Sequence, residues 1–407
     1  METHLLTLSE VHLSVIKALY FNNMISALEI SKLTGTSIPT ITKHIEELIA
    51  GNFIVEKGFA ASNSGRRPMV YSLIADKYYI LSVAIDQFYT RMVVVDFNGD
   101  FITAINEVEI NTKDPGALEN LIASVSSFMT HSGVDRNKIF VAGISMPGLI
   151  DLNEGNNRSF FPVQGTSLRS LLSERLKIPV FIDNDSSVIA LAELKFGIGR
   201  TRSEVMVINL SWGIGLGIII NQKIYRGFKG YAGEFSHIPL FDNDRICSCG
   251  KKGCLETQAS LITIEDNALE EINKGEFTTL KLTNGKVSIS AIISAALNGD
   301  TLSIKLISYA GYQIGRALAI LIHVLNPEVI VLSGRATQAG KFLLPPIQQA
   351  INEHSIPTIT DDIDVRLSEN GIDAQLIGTA ALAIEQITKE FFNHQQQTLQ
   401  QQIHQQQ

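Results

Sequence analysis

His237, Cys247, Cys249 and Cys254 are the residues of this 407-residue chain whose types and spacing most directly specify chemistry, and the three cysteines are all that it contains. The spacing, H-x9-C-x-C-x4-C, offers one imidazole and three thiolates. That is a soft, closed donor set which suits tetrahedral zinc and leaves no coordination position for a substrate, so a structural Zn2+ is expected. Gly250 and Gly253 lie among the ligands and let the chain turn back tightly enough for Cys249 and Cys254 to reach one ion. A disulfide would strand one thiol of three. The opening Met-Glu-Thr-His-Leu-Leu has neither the charged start nor the apolar core of a signal peptide, which predicts a cytoplasmic protein. Unliganded or redox-active cysteines are the competing reading.

The residues around the ligands are distinctive. Gly233-Glu234-Phe235-Ser236-His237 and Cys247-Ser248-Cys249-Gly250-Lys251-Lys252-Gly253-Cys254-Leu255-Glu256 resemble the signature of the ROK family, which groups sugar-responsive repressors with sugar kinases. Ser236 stands where the family usually has glycine. The resemblance reaches from the N-terminal module to about residue 390 and is to the repressor branch, similar to the N-acetylglucosamine and xylose repressors. It implies an α/β protein in which an N-terminal winged helix-turn-helix precedes a two-lobed, actin- and hexokinase-like domain. It further implies that Asn184 and Asp185 contact sugar hydroxyls, Asp185 being the catalytic base in the kinases, and that Glu234, His237 and Glu256 supply the remaining sugar contacts.

Sugar chemistry favours the same residues on its own terms. A sugar offers vicinal hydroxyls, from which carboxylates accept bidentately and to which an amide both donates and accepts. His237 can give one ring nitrogen to zinc and the other to the sugar, so the metal would fix its tautomer and orientation. The blander reading is that Asn184 and Asp185 form a turn and Glu234 is a surface group.

These residues need elements to hold them. At 45% hydrophobic and 18% charged the chain can bury more than one core, and its length predicts two to three domains. The longest apolar run, Ala317 to Leu325, is broken by His323 and is too short to cross a bilayer. The net charge of −8 argues against indiscriminate nucleic-acid binding. Residues 1–78 balance seven basic against seven acidic side chains, so DNA contacts must come from a few placed cations there.

Val11, Val15, Ile16 and Leu19 form a helical stripe, and Ser26 with Glu29 reads as a capping box opening a second helix that closes near Gly35. Ser37 caps a third helix with Pro39 in its first turn and Ile41, Ile45, Leu48 and Ile49 on its inner face. Its outer face presents Thr40, Lys43, His44 and Glu47. Strands at Phe53–Val55 and Met69–Leu73 flank a polar tip that carries Arg66 and Arg67. That is a winged helix-turn-helix, with Thr40, Lys43 and His44 aimed at the major groove of operator DNA and the two arginines at phosphates or the minor groove. A small helical domain for protein contacts is the bland alternative.

Ile80–Asp86, Arg91–Asp96 and Phe101–Val108 are β-rich, and Glu204–Leu210, Gly217–Ile220 and Lys223–Arg226 repeat that layout. The duplication matches the two-lobe architecture. The expected domains are 1–78, then a first lobe of 79–185 with a return at about 375–392, then a second lobe of 186–374 with the metal, and a disordered glutamine-rich tail from 393. The ligand is expected in the cleft between lobes, in a homodimer or higher oligomer. Gly213-x-Gly215-x-Gly217 alone fits a phosphate cradle, a tight hairpin or a dinucleotide fingerprint, although it joins two β-runs rather than a strand and a helix.

A kinase needs backbone amides that close on ATP phosphates. Where a family kinase has an Asp-x-Gly-Gly-Thr turn, this chain reads Asp86-Gln87-Phe88-Tyr89-Thr90, and where kinases have Gly-Thr it has Ser211-Trp212. A regulator sensing a sugar or sugar phosphate is therefore expected. A sugar kinase with an appended DNA-binding module, kept open by Asp185, is the alternative, and a protein-interaction module that has lost its ligand is a third.

Overall fold

The computed structural model describes residues 7–59 and 68–388. The chain divides into two compact units, one built from residues up to 148 with 152–183 and 379 onward, the other from 149–151 with 184–378. Arg66, Arg67 and the glutamine-rich tail lie outside the described residues. Asn184 and Asp185 open the second unit after Asp183.

The first unit opens with α1 (Glu10–Asn22), where Ser9 and His12 cap each other reciprocally and Val15, Ile16 and Leu19 are buried. After a short β1 (Ile25–Ser26), the Ser26/Glu29 capping box starts α2 (Ala27–Thr34), which Gly35 ends in a left-handed turn. Ser37 caps α3 (Ile38–Ala50), with Pro39 in the first turn and Ile41, Ile45 and Leu48 buried. β2 (Ile54–Phe59) pairs antiparallel with β3 (Met69–Leu73), whose other edge takes β1.

Next come β4 (Tyr79–Ile85), β5 (Tyr89–Val95), β6 (Asn106–Glu109), α4 (Ala117–His131), β7 (Ile139–Met146), the two-residue strands β8 (Ile150–Asp151) and β9 (Asn156–Asn157), α5 (Leu168–Leu176) and β10 (Val180–Asn184). Of these strands β10, β7, β4, β5 and β6 form a five-stranded sheet in that order, while β8 falls in the second unit. The third run is shorter than its composition suggests. Phe101 makes only a bridge to Val95, and the Val94 N–H is taken by the Thr103 hydroxyl at 3.1 Å, so a side chain interrupts the ladder. An aromatic cluster ties the N-terminal module to this sheet: Tyr78 stacks 6.1 Å from Phe53, 5.7 Å from Phe97 and 5.1 Å from Phe140.

The second unit holds α6 (Asp185–Phe196), β11 (Val205–Leu210), β12 (Ile214–Ile220), β13 (Lys223–Tyr225), α7 (Glu256–Ala259), α8 (Leu261–Asn273), α9 (Ile289–Leu297), α10 (Thr301–Leu325), β14 (Val329–Ser333), α11 (Gly340–His354), α12 (Pro357–Thr360) and β15 (Asp364–Leu367). The unit boundary falls inside α13 (Ala374–Gln386). The strands order as β13-β12-β11-β14-β15, with β11 antiparallel to β12 and parallel to β14. β4 has the same relation to β5 and β7, so the duplicated start seen in the sequence is a duplicated sheet. No helix among the described residues is long and apolar enough to cross a membrane.

Candidate functional site

His237 ends a 3₁₀ turn, Phe235–His237, that follows β13. Ser236, in the position of the missing glycine, is buried in that turn with negative φ and no backbone strain. The chain then folds back through bridges pairing Pro239 with Cys254 and Ile246 with Lys252, and the Cys247 N–H donates to the Lys251 carbonyl at 2.8 Å. Gly253 has φ +81°, and a Cβ there would sit 2.3 Å from the Phe241 carbonyl oxygen, so only glycine closes the loop.

The result brings His237, Cys247, Cys249 and Cys254 together, with all four donor atoms within 4.8 Å of one another. Cys247 Sγ lies 3.4 Å from His237 Nδ1, and Cys249 Sγ lies 3.6 Å from Cys254 Sγ. Tetrahedral ligands about 2.0–2.3 Å from one ion stand about 3.5–3.8 Å apart, so spacing and chemistry both fit a single soft metal. Burial and the neighbouring sulfurs push the Cys254 thiol up to about 12. At Cys249 burial also acts upward, but the Lys251 N–H and the two other thiols outweigh it and the thiol titrates below its ordinary value.

His237 points its other nitrogen at acids. Nε2 lies 3.7 Å from Glu234 Oε2, and Glu234 is raised by partial burial, with Glu256 adding to the rise and His237 opposing it. Glu256 begins α7, accepts from the Ser248 hydroxyl at 3.4 Å, and brings Oε2 to 2.9 Å from where a Cβ at Gly213 would lie. Glu234, His237 and Glu256 are thus neighbours.

Asn184 is the N-cap of α6, its Oδ1 accepting from Ser186 N–H at 2.9 Å and Ser187 N–H at 3.2 Å. Asp185 accepts from Ser186 N–H at 2.8 Å and from Asn209 Nδ2 at 3.3 Å. The turn-forming reading of this pair therefore holds in part, since the cap occupies the Asn184 oxygen. Asn209, 5% exposed on β11, was not singled out from the sequence, although an asparagine inside the apolar run Val205–Leu210 marks it. The glycines of β12 explain the close approach of α6. A Cβ at Gly215 would lie 1.8 Å from Ser186 Oγ, and one at Gly217 would lie 2.4 Å from Ala190 Cβ. Helix–strand packing thus accounts for both glycines.

Two turns depart from the kinase pattern, Asp86–Thr90 and Ser211–Trp212. In the first, Asp86 Oδ1 accepts from the N–H groups of Phe88 at 2.8 Å and Tyr89 at 2.7 Å. Trp212 is 9% exposed in the β11–β12 turn, with the Arg335 guanidinium 5.8 Å from its ring centre.

On α3, the Lys43 side chain is 71% exposed. The Thr40 hydroxyl bonds Ser37 Oγ at 2.7 Å, part of the helix cap. His44 differs from expectation: its ring is turned onto α1, 2.9 Å from His12 Nε2, and is only 17% exposed.

Two sheets of one pattern, with a histidine and three cysteines clustered beside acidic residues, define a duplicated α/β protein of the kind to which repressors and sugar kinases both belong. A sequence profile of the ROK family matches residues 81–386, and the chain belongs to that family. It is similar to the xylose repressor of Caldicellulosiruptor bescii, 28% identical over 381 residues that cover 91% of this chain and 94% of that protein. It is also similar to the glucokinase of Halalkalibacterium halodurans, 32% identical over 288 residues covering 69% and 87%. Among solved structures, a ROK family transcriptional regulator described as a homologue of the Escherichia coli MLC protein superposes with a TM-score of 0.74 at 27% identity, covering 95% of this chain and 96% of that one.

Proposed function

We propose that this protein is a sugar-responsive transcriptional repressor: residues 1–78 form a winged helix-turn-helix that holds operator DNA, and Asn184, Asp185, Glu234, His237 and Glu256 take a sugar or sugar phosphate that relieves repression of carbohydrate uptake or catabolism genes. The observation that carries it is the two-faced ring of His237, with Nδ1 3.4 Å from Cys247 Sγ and Nε2 3.7 Å from Glu234 Oε2. A structural zinc ion on His237, Cys247, Cys249 and Cys254 would fix that ring, leaving Nε2–H to donate to a sugar oxygen while Glu234 and Glu256 accept from hydroxyls. The zinc supplies order, not a reacting water, because the protein fills all four positions. Similarity to the xylose repressor over nine-tenths of the chain supports regulation, whereas the glucokinase is matched over about two thirds of it.

The alternative is a sugar kinase with Asp185 as base. The Asp86 carboxylate that caps the Phe88 and Tyr89 amides weighs against it, because phosphoryl transfer depends almost wholly on such positioning groups. A thermal-shift screen of monosaccharides and their phosphates tests the reading. A ligand at a hundredfold its Kd stabilises by about 2.7 kcal/mol, and the hit should release DNA selected from a random pool. Sugar-dependent ADP formation at about 1–100 per second would refute it in favour of the kinase.

A further inference from the structure

A second cluster of titratable groups lies in the N-terminal module. His12, on α1, is 3% exposed; His44 and Glu47 reach it from α3. His12 Nε2 lies 2.7 Å from Glu47 Oε2 and 2.9 Å from His44 Nδ1, and that nitrogen lies 3.0 Å from the same carboxylate oxygen. The other side of the His12 ring is fixed as well. The Ser9 N–H donates to Nδ1 at 3.1 Å while the Ser9 hydroxyl accepts from the His12 N–H, closing the cap of α1.

That cap decides the tautomer. Nδ1 accepts, so it carries the lone pair, and a neutral ring then has its proton on Nε2, pointing at Glu47. A metal ion on Nε2 would need the reverse, a lone pair on Nε2 and an outward-donating Nδ1, so the three-donor triangle is arranged for a proton rather than a metal. An imidazolium does not fit either, because an Nδ1–H would confront the Ser9 N–H, donor against donor.

Burial lowers His12 below the ordinary histidine value, with His44 and Lys43 acting the same way and Glu47 opposing. Lys43 Nζ is 3.8 Å from Glu47 Oε1. Of the other elements packed on α1, α2 carries Glu29 and Lys32 and β3 carries Tyr71; Glu29 is taken up by the Ser26 cap. A histidine lowered in the folded state contributes stability that is fully present above its unfolded value of about 6.5 and is lost as pH falls through the folded one.

We propose that His12 is a positioning residue for DNA binding: in its neutral form it joins the cap of α1 to Glu47 and His44 on α3, and its protonation breaks that join and loosens the pose of the DNA-facing helix. The inference rests on the DNA-binding reading, but the join itself can be tested without DNA. Wild type, His12→Gln and His12→Leu are melted at about pH 7.5 and 5.5, and each is titrated with DNA selected by the wild type at the higher pH. Glutamine can donate to Glu47 but cannot titrate. Leucine does neither.

The expected result at the higher pH is that His12→Leu binds DNA about fivefold more weakly, the factor of one neutral hydrogen bond, and that His12→Gln restores most of it. On acidification the wild type should lose about fivefold more affinity, and more melting temperature, than His12→Gln. Nitrogen-15 shifts of the wild-type ring should place the neutral proton on Nε2. Equal pH dependence of melting in wild type and His12→Gln would overturn the proposal, as would a saturable Ni2+-induced rise in melting temperature that His12→Gln abolishes. Should no DNA be selected at any pH, the DNA-binding reading fails and the proposal with it, while the melts and ring shifts still decide whether the join exists.

Discussion

Adding one methyl group at Gly217 separates two accounts of the glycines that precede and enter β12. If they serve the packing of α6, Gly217→Ala must push helix and strand apart. The new Cβ would lie 2.4 Å from Ala190 Cβ and 2.8 Å from the Ser186 carbonyl oxygen, where ordinary contacts begin near 3.4 Å. Relief requires about 1 Å of movement, and overpacking of that kind costs about 1–3 kcal/mol. In a unit of this size each kcal/mol lowers the melting temperature by about 2–4 °C, so a fall of about 2–12 °C is expected. The same movement carries Asp185, at the start of α6, away from Asn209, now 3.3 Å distant, and should shrink the stabilisation produced by whichever sugar the screen identifies. Differential scanning fluorimetry with and without that sugar reads both effects. A variant that melts within about 1 °C of wild type, keeps its sugar response and loses only a response to ATP would refute the packing account and restore the phosphate-cradle one.

Three further outcomes are expected. Wild type purified without chelators should carry one equivalent of zinc by metal analysis, and Cys249→Ser should lose it and melt at a lower temperature, since structural zinc carries on the order of 10 kcal/mol of apparent folding free energy in small domains; wild type without zinc would sink the assignment. Asp185→Asn and Glu234→Gln should each bind selected DNA as wild type does but lose at least about tenfold in sugar affinity, the loss of one charge-assisted hydrogen bond, read as a rightward shift of the thermal-shift titration. Lys43→Ala, which removes a largely exposed cation, should weaken DNA binding and reduce the slope of log affinity against log salt by about 0.9, whereas an unchanged slope would take Lys43 off the phosphate backbone.

Much of this arrangement is legible in the chain. Helix caps are local, so the Ser26–Glu29 capping box and the Ser37 cap with Pro39 in the first turn announce α2 and α3 without tertiary information. The cysteine spacing is equally local, and its glycines adopt the left-handed turns their positions suggest. What escaped depends on partners distant in sequence. His44 looks outward by helical periodicity alone, whereas its ring turns to His12, 32 residues away, and to the Glu47 that His12 also contacts. Asn209 meets Asp185 across 24 residues, and the role of Gly215 and Gly217 appears only when α6 lies on β12. The expected strand over Phe101–Val108 shortens to β6 with a bridge at Phe101, because the Thr103 hydroxyl takes a ladder N–H, which propensity does not register.

The joint between the N-terminal module and the first sheet bears on how a ligand signal reaches DNA. A tethered module would move independently of the sheet. Here Tyr78, the residue before β4, is enclosed by Phe53 on one side and Phe97 and Phe140 on the other, and burial raises its phenol to about 12. The Lys77 ammonium lies 4.8 Å from the Phe53 ring centre and donates to the Gly51 carbonyl at 3.3 Å, which pins the end of α3 to the connection. From the other end of the chain, the Glu385 carbonyl of α13 accepts from Lys17 of α1 at 2.8 Å. Two separate segments therefore hold the module: the Lys77–Tyr78 connection fixes α3 to the first sheet, and α13 holds α1. Within this unit the Lys17–Glu385 contact joins residues 368 positions apart, so α1 is held by the C-terminal part of α13 as well as by the connection that precedes β4.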